Sequence, residues 1–357
     1  MLRRSSRALS CNSALLFSLG SLLLPCLSAC AGHRPVAPDA LTSPARGGGD
    51  TATPSFRGAG APEALASDLA FVSLEGPFWV ASGGYLLFSD VVEANGPGAL
   101  VYRFEPTSGR FSVVSYPAPA PSPVPVSTNG LAVDGSGALI ACERYNARLV
   151  RIGRDGTRVV LADGWPSAVD AGANTRLPFN APNDLALRRD GNIYFTDSDW
   201  GTKTGGAHAP MAVYRITSRG QLERVMLLQK PNGIALSPDE ATLYVGSDVQ
   251  GKVWRLPLDG AGTPGPATLF IDGAQVAGGF KVPDGICVDD SGNLYVTNNA
   301  DDVKAIVVFD PKGRSLGRMA LPHAPSNCSF GGADRRTLYV TTLHAVYQVR
   351  MPIPGLP

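Results

Sequence analysis

The sequence predicts an all-β fold, a six-bladed β-propeller, because one segment recurs six times at a long and regular period. Each copy joins a polar residue, an alternating strand, a turn and an apolar strand, as in PNDLALRRDGNIYFTD at 182–197 and PDGICVDDSGNLYVTN at 283–298. The polar residues that open the copies, here called the head residues, are Glu75, Asn129, Asn183, Asn232, Asp284 and Asn327. Their spacings are 54, 54, 49, 52 and 43 residues, and each has room for the four antiparallel strands of a propeller blade.

The composition agrees with many short strands. The chain has 357 residues, 44% of them hydrophobic, with 41 Gly and 30 Pro to punctuate the turns. No amphipathic helical pattern interrupts the repeat, which disfavours a βαβ fold. A β-sandwich is the alternative, and the regular period argues against it. The net charge of +1, without any Lys/Arg-rich run, excludes a nucleic-acid footprint.

The N-terminal segment has the pattern of a signal peptide. Three arginines lie within residues 3–7, and the apolar run at 14–24 is too short to span a bilayer comfortably. The end of this segment, Leu27-Ser28-Ala29-Cys30, resembles the bacterial lipobox. We therefore expect a lipoprotein signal peptide at 1–29 and a lipid anchor at Cys30, which makes the membrane a partner.

Two alternatives to this anchor remain open: ordinary cleavage near Ala29, and export by a twin-arginine route through Arg3-Arg4. Ala31 after the cysteine favours the outer membrane, so the expected location is the bacterial cell envelope, facing the periplasm or the surface. Residues 30–66 are rich in Pro, Gly and Ala and predict a flexible tether. The propeller is predicted at 67–352.

Three cysteines remain beyond the anchor: Cys142, Cys287 and Cys328. Their odd number and the lack of a CxxC motif disfavour a disulfide scaffold. One bridge is possible in an oxidising periplasm, but we favour three separate core thiols.

The head residues predict a polar ring. The first strand of each propeller blade lines the central channel, so corresponding positions in the six blades meet around the axis. The ring offers two carboxylates and four amide oxygens, and neither His nor Cys. Such hard oxygen ligands suit one divalent cation, Ca²⁺ first, with Mg²⁺, Mn²⁺ or Zn²⁺ as alternatives.

Other residues give weaker signals. Arg176 and Arg144 are candidates for substrate contact near the mouth, although solvated loop residues are the blander interpretation. His208 lies in a Gly-rich loop after Trp200, and no motif assigns it a role. A serine esterase is disfavoured because the chain has no G-x-S-x-G elbow.

The head motifs resemble those of the senescence-marker-protein/gluconolactonase (regucalcin-like) family. The resemblance rests on Glu75-Gly76-Pro77, Asn180 to Asp184, Pro231-Asn232-Gly233 and Pro283-Asp284-Gly285, and it covers roughly residues 68–350. It implies a divalent metal held by Glu75, Asn232 and Asp284, with Asn183 binding the metal or the substrate. It also implies that Asp284 is the catalytic base. The related paraoxonases and diisopropylfluorophosphatase have similar calcium sites.

The resemblance implies a metal-dependent lactonase that hydrolyses a small lactone or ester, and these residue types suit that chemistry. Asp284 assists the attacking water, and Asp184 shares that role or orients Asn183. Asn183, Asn129 and Arg176 are the candidates for substrate binding. The alternatives are a phosphotriesterase or arylesterase on the same site, and an envelope propeller that binds sugars or proteins without catalysis. We expect a monomer that does not bind nucleic acid.

Overall fold

The computed structural model describes residues 55–91, 100–114, 128–167, 175–200, 206–300 and 302–356. The predicted signal peptide, Cys30 and the predicted tether up to residue 54 lie outside these ranges. Short antiparallel strands dominate the described residues, and two 3₁₀ turns occur at Asp248–Gln250 and Gly273–Gln275. No helix in this part of the chain is long and apolar enough to cross a bilayer.

In chain order the strands are β1 (Glu63–Ala64), β2 (Leu74–Val80), β3 (Tyr85–Asp90), β4 (Leu100–Glu105), β5 (Arg110–Val114), β6 (Thr128–Val133), β7 (Leu139–Glu143), β8 (Arg148–Ile152), β9 (Arg158–Ala162), β10 (Gly164–Pro166), β11 (Arg176–Pro178), β12 (Pro182–Leu187), β13 (Ile193–Asp197), β14 (Ala212–Ile216), β15 (Leu222–Leu227), β16 (Pro231–Leu236), β17 (Thr242–Ser247), β18 (Lys252–Pro257), β19 (Thr268–Asp272), β20 (Pro283–Val288), β21 (Leu294–Ala300), β22 (Val303–Phe309), β23 (Ser315–Ala320), β24 (Pro325–Gly331), β25 (Thr337–Thr342) and β26 (Val346–Arg350).

The strands form six four-stranded sheets arranged in a ring. Blades one to five are β2–β5, β6–β9, β12–β15, β16–β19 and β20–β23, and blade six combines β24–β26 with β1. The first strand of each blade contacts the first strand of the next, and β24 of blade six contacts β2 of blade one. The predicted six-bladed propeller is thereby confirmed. A two-stranded flap, β10–β11, precedes blade three.

Blade six closes the ring by joining the two ends of the described chain. In this blade Glu63 of β1 lies opposite Gln348 of β26, and the Leu65 N–H donates to the Val346 carbonyl at 2.9 Å. Residues 55–66 were predicted to belong to the tether, but here they pack on the propeller. The apolar side chains explain the difference, because Leu65 packs against the core of blade one and the Phe56 ring lies 5.8 Å from that of Tyr295.

Removing this closing strand should destabilise the propeller. A chain that begins at Asp68 loses the β1 pairing and the burial of Phe56 and Leu65, which contributes about 2–4 kcal/mol to the free energy of unfolding. It also exposes the edge of β26, so aggregation should increase. Urea denaturation against a chain that begins at Asp50 measures the difference. Equal midpoints for the two chains would show that β1 contributes nothing.

Aromatic side chains at one recurring position fill the spaces between sheets. Tyr194, Tyr244, Tyr295 and Tyr339 lie on the second strands of blades three to six, and all four are buried. The Tyr339 ring stacks on Trp79 of blade one, with centroids 5.6 Å apart. The prediction that these tyrosines are core and inter-blade packing residues is confirmed.

The predicted separation of the cysteines is wrong. Cys287 and Cys328 form a disulfide, with their Cα atoms 5.8 Å apart, whereas Cys142 is a buried thiol. The bridge forms because each cysteine lies on an innermost strand, β20 or β24, and these strands of neighbouring blades run side by side.

Candidate active site

Each innermost strand carries a β-bulge at its head. The register between β2 and β3 shifts between Glu75 and Phe78, and that between β20 and β21 shifts between Pro283 and Ile286. The other four blades shift at the corresponding place. A bulge interrupts the ladder and re-aims a side chain. Polar residues that would weaken a regular strand are therefore accommodated at the end of the sheet that faces the channel mouth.

Hydroxyl groups fix these heads across the blade boundaries. Ser89 of blade one donates to the Asn129 carbonyl at 2.8 Å, and Thr196 of blade three donates to the Asn232 carbonyl at 2.8 Å. Ser326 of blade six donates to the Leu74 carbonyl at 2.6 Å and so links the last blade to the first. These buried bonds hold the backbone at or beside the heads of blades one, two and four against the neighbouring blade, which preorganises this part of the ring.

Glycine after the head lets adjacent blades approach closely. A Cβ on Gly76 would lie 2.1 Å from the carbonyl oxygen of Asn129, and one on Gly233 would lie 2.1 Å from that of Asp284. These separations are far below contact distance, so any side chain there would force the blades apart. The glycine is required by close packing at the channel.

Blade six departs from the predicted alignment by one residue. Pro325 pairs with Thr342 and Asn327 pairs with Thr341, so Ser326 is the residue left in the bulge. Asn327 instead occupies the position that is glycine in four other blades. The sequence repeat does not reveal this shift, because Ser-Asn at 326–327 is as polar as a true head.

Blade three is the other exception, because Asp184 stands at that same position. Blades three and six face each other across a six-membered ring. Asn327 Nδ2 donates to Asp184 Oδ2 at 3.3 Å, and the Leu185 N–H donates to Asp184 Oδ1 at 2.9 Å. Asp184 and Asn327 thus form a second polar level, one residue below the heads, that bridges the channel.

The structure brings the predicted site residues together at the mouth. Asn129, Asn183, Asn232, Asp284 and Asp184 are all buried, although polar side chains usually remain exposed. Asp284 accepts a hydrogen bond from Asn299 Nδ2 at 2.7 Å. Asn129 Oδ1 accepts none within the described part of the chain, which leaves a buried acceptor available to a ligand or water.

Burial raises the pKa of the Glu75 carboxyl group well above its ordinary value, and the nearby charges of Asp284 and Asp184 raise it further. The Gly76 N–H and the Arg144 guanidinium oppose this effect. Glu75 as a whole is only half-buried, because its surface reaches the mouth, but protein encloses the carboxyl group itself.

The two aspartates behave in the same way. Burial raises the pKa of Asp284 to about 7, with contributions from the charges of Asp248 and Asp184 and against the hydrogen bond from Asn299. Burial also raises the pKa of Asp184 to about 6, against the bonds from Leu185 and Asn327. Acidic groups are therefore crowded at the mouth without enough positive charge to compensate them.

This donor set fits a divalent cation. Carboxylate and amide oxygens are the ligands that Ca²⁺ prefers, and a cation would offset both the crowded carboxylates and the orphaned acceptor of Asn129. Among the described residues, no three His, Cys, Asp or Glu side chains are grouped closely enough to hold a metal by themselves. Any cation would therefore depend on the asparagine oxygens as well.

The raised pKa values predict how stability depends on pH without metal. Between about pH 4 and 7 the folded protein binds more protons at Asp184 and Asp284 than the unfolded chain does. The free energy of unfolding should therefore fall as pH rises through this window. Urea denaturation in chelator from pH 5 to 8 tests this, and a flat or rising profile would contradict it. Added Ca²⁺ should reduce the slope, because it favours the charged carboxylates.

The more distant candidates lie outside this cluster. Arg176 lies on the flap strand β11, with a half-exposed side chain 3.4 Å from Asp163. The Nδ1 atom of His208 lies 3.1 Å from the Phe179 carbonyl, where it ties a loop to the chain before blade three. Arg144 is half-buried and close enough to lower the pKa of Glu75.

Sequence reasoning missed an outer tier of the site. In each blade, one residue of the second strand or just after it lies directly beyond the partner of the head segment. In blades two to five these residues are Arg144, Ser198, Asp248 and Asn299. Asp248 and Asn299 both act on Asp284. The signal was present in the repeat, since a polar residue that ends an apolar second strand is as unusual as one that begins a first strand.

The chain is similar to known lactonases. The family model described as SMP-30/Gluconolactonase/LRE-like region matches residues 74–344. A gluconolactonase from Zymomonas mobilis subsp. mobilis is 30% identical over 307 residues, which cover 81% of this chain and 80% of that protein. A 6-deoxy-6-sulfogluconolactonase from Pseudomonas putida is 37% identical over 112 residues, covering 31% of this chain and 37% of that protein.

Solved structures show the same architecture. A gluconolactonase from Xanthomonas campestris superposes with a TM-score of 0.62 at 28% identity, covering 86% of this chain and 99% of that chain. Regucalcin from Agrobacterium tumefaciens, a calcium-binding protein, gives 0.63 at 20% identity over 83% of this chain and 97% of its own, which supports the fold alone. The family match includes all six head residues, and the chain belongs to the SMP-30/gluconolactonase/LRE-like family.

Proposed function

We propose that the protein hydrolyses lactones at the channel mouth. The observation that carries the proposal is the convergence of Asp284 and Asp184, two buried carboxyl groups whose pKa values are raised to about 7 and about 6. A base is most effective when its pKa lies near the working pH. The names of the related gluconolactonases support a lactone as the substrate.

The chain's own residues account for the proton transfers. Asp284 as carboxylate takes a proton from water while the water oxygen adds to the lactone carbonyl carbon. The ring C–O bond then breaks, and the proton passes to the ring oxygen, which gives the open hydroxy acid and consumes one water. Asp184 shares this role from the level below, where Asn327 holds it. Asn129 and Asn183 supply amide groups for the substrate's hydroxyls.

We also propose one divalent cation, Ca²⁺ first, held by Glu75, Asn232, Asp284 and Asn183. When bound, it would polarise the carbonyl and stabilise the negative charge of the tetrahedral state. The crowded carboxyl groups of Glu75, Asp284 and Asp184 support this assignment. Whether Asn183 binds the cation or the substrate is decided by whether Asn183→Ala raises the Kd for Ca²⁺ or only the KM.

The experiment is lactone hydrolysis by the purified protein, followed as acid release from glucono-1,5-lactone. Activity should be lost in chelator and restored by Ca²⁺, Mg²⁺, Mn²⁺ or Zn²⁺, in an order that identifies the preferred ion. Metal-independent turnover would contradict the cation. Metal binding without turnover of any lactone, aryl ester or phosphotriester would favour a binding propeller instead.

We further propose that the protein is exported and anchored through Cys30. A buried disulfide supports this location, because such bridges persist in oxidising compartments. Membrane fractionation of wild type and Cys30→Ala tests the anchor. The variant should leave the membrane fraction, and unchanged association would overturn the assignment.

A further inference from the structure

The Cys287–Cys328 disulfide joins two different sheets at the channel wall. Cys287 lies on β20 of blade five and Cys328 on β24 of blade six, 41 residues apart in sequence. Both residues are buried, with exposures of 7% and 4%. The bridge therefore fixes the relative position of two innermost strands, which share no ladder of backbone hydrogen bonds.

The bridge stands directly beside the site. Cys328 follows Asn327, and its N–H donates to Asn327 Oδ1 at 2.8 Å, while Asn327 Nδ2 reaches Asp184. Cys287 lies three residues after Asp284 on the same strand. Between them Gly285 packs against Asn327 so closely that a Cβ would lie 2.1 Å from its Oδ1 atom. The bridge thus joins two strand segments, one of which carries Asp284 and the other Asn327, the hydrogen-bond partner of Asp184.

Several acidic side chains lie close to the boundary between blades five and six. Asp284 is close enough to Asp248 and Asp184 to interact with their charges, and Glu75 interacts in the same way with Asp284 and Asp184. When these carboxyl groups are ionised and no cation is bound, their like charges repel one another across the channel wall. A hydrogen bond from Thr297 to the Ser326 carbonyl, at 2.9 Å, crosses the same boundary. A hydrogen bond can stretch or exchange with water, whereas the covalent bridge keeps its length.

We propose that Cys287–Cys328 is a positioning disulfide that holds Asp284 and Asn327 in register before cation and substrate bind. The inference rests on the proposed function for the identity of the ligands. Its reduction by a dithiol gives two thiols and one oxidised dithiol, and it loosens the site while the six blades stay folded.

The decisive measurement is the Kd for Ca²⁺ by titration calorimetry, at a temperature where every variant is folded. Cys287→Ala/Cys328→Ala should bind Ca²⁺ at least tenfold more weakly and lower kcat/KM for the lactone at least tenfold. Cys142→Ala is the matched control. It also removes a buried sulfur, on β7 of blade two, but it leaves the bridge intact. It should lower the thermal midpoint and leave the Kd unchanged.

Reduction of the folded wild type gives an independent measurement if the double variant does not fold. Dithiothreitol should raise the Kd of the wild type at least tenfold, and where the double variant folds, dithiothreitol should leave its Kd unchanged. An unchanged Kd after complete reduction, with only a lower thermal midpoint, would show that the bridge serves stability alone. The proposal would also be overturned if the oxidised protein bound no Ca²⁺.

The two proposals fail separately. If the oxidised protein turns over no lactone but its Kd for Ca²⁺ still depends on the bridge, the lactonase assignment is overturned and the positioning role stands. If lactone turnover depends on metal but neither the Kd for Ca²⁺ nor kcat/KM responds to reduction, the positioning role is overturned and the lactonase assignment stands.

Discussion

Lactone hydrolysis should fall by at least about 10³-fold when Asp284 is replaced by asparagine. The variant loses the base, which alone contributes roughly 10²–10⁴-fold in such catalysis, and it removes one negative charge from the proposed cation site. The fold should persist, because asparagine has the same shape and the bulge backbone does not change. The measurements are kcat/KM for glucono-1,5-lactone and the thermal midpoint with and without Ca²⁺.

Asp284→Asn should also show a pattern of stability that a generally destabilised protein would not show. Without metal, Asp284→Asn should be at least as stable as wild type, since the buried charge repelled by Asp248 and Asp184 is gone. The stabilisation of the wild type by Ca²⁺ should be lost. Asp155→Asn, in an exposed turn of blade two, is the control and should behave as wild type. Retained activity in Asp284→Asn would exclude it as the base.

The second large effect concerns packing: Gly233→Ala should destabilise the propeller by about 3 kcal/mol or more. The new Cβ would lie 2.1 Å from the Asp284 carbonyl oxygen and 2.8 Å from Gly285. Backbone atoms cannot rotate away as a side chain can, so blades four and five must separate. The displacement falls on Asp284 itself, and Ca²⁺ affinity should fall together with stability.

Gly135→Ala provides the matched control for this change. Gly135 lies in the turn between β6 and β7, has no heavy atom within 4 Å of a built Cβ, and does not adopt a left-handed conformation. Its substitution should change the free energy of unfolding by less than about 0.5 kcal/mol. Urea denaturation of both variants gives the comparison. Equal effects would mean that the inner glycines are not required for close approach.

Much of the fold was predictable because the repeat constrains every blade at once. A polar head such as Asn183 or Asn232, followed by alternation, a turn and an apolar strand, fixes the inner two strands of each sheet. Long-range closure was not predictable. The short segment around Leu65 carries too few apolar residues to stand out against a Pro- and Gly-rich background, and its partner β26 lies at the far end of the chain.

The sequence predicted that Glu75, Asp184 and Asp284 lie close together, as they do in the structure, but their roles stay predictions and the division of the site into two levels was not foreseen. The bulge of blade six has the same length as the others, but its head is Ser326, so Asn327 lies beside Asp184 rather than in the ring. Both residues are polar, and the prediction took the second of them as the head. The disulfide was missed for a related reason, since Cys287 and Cys328 stand at different offsets from their heads. Only the register of both strands shows that they meet.

The pairing of Glu63 with Gln348, 285 residues apart, has a consequence for how the protein is made. The ring cannot close until the ribosome has added the 285 residues that separate Glu63 from Gln348. Until then, blades one and five lack the neighbouring sheet that covers them in the closed ring. Because contacts of such long sequence separation form slowly, the final docking of blade six should be the slow step of folding, and the intermediate that precedes it should be the species most exposed to proteases and to misassembly.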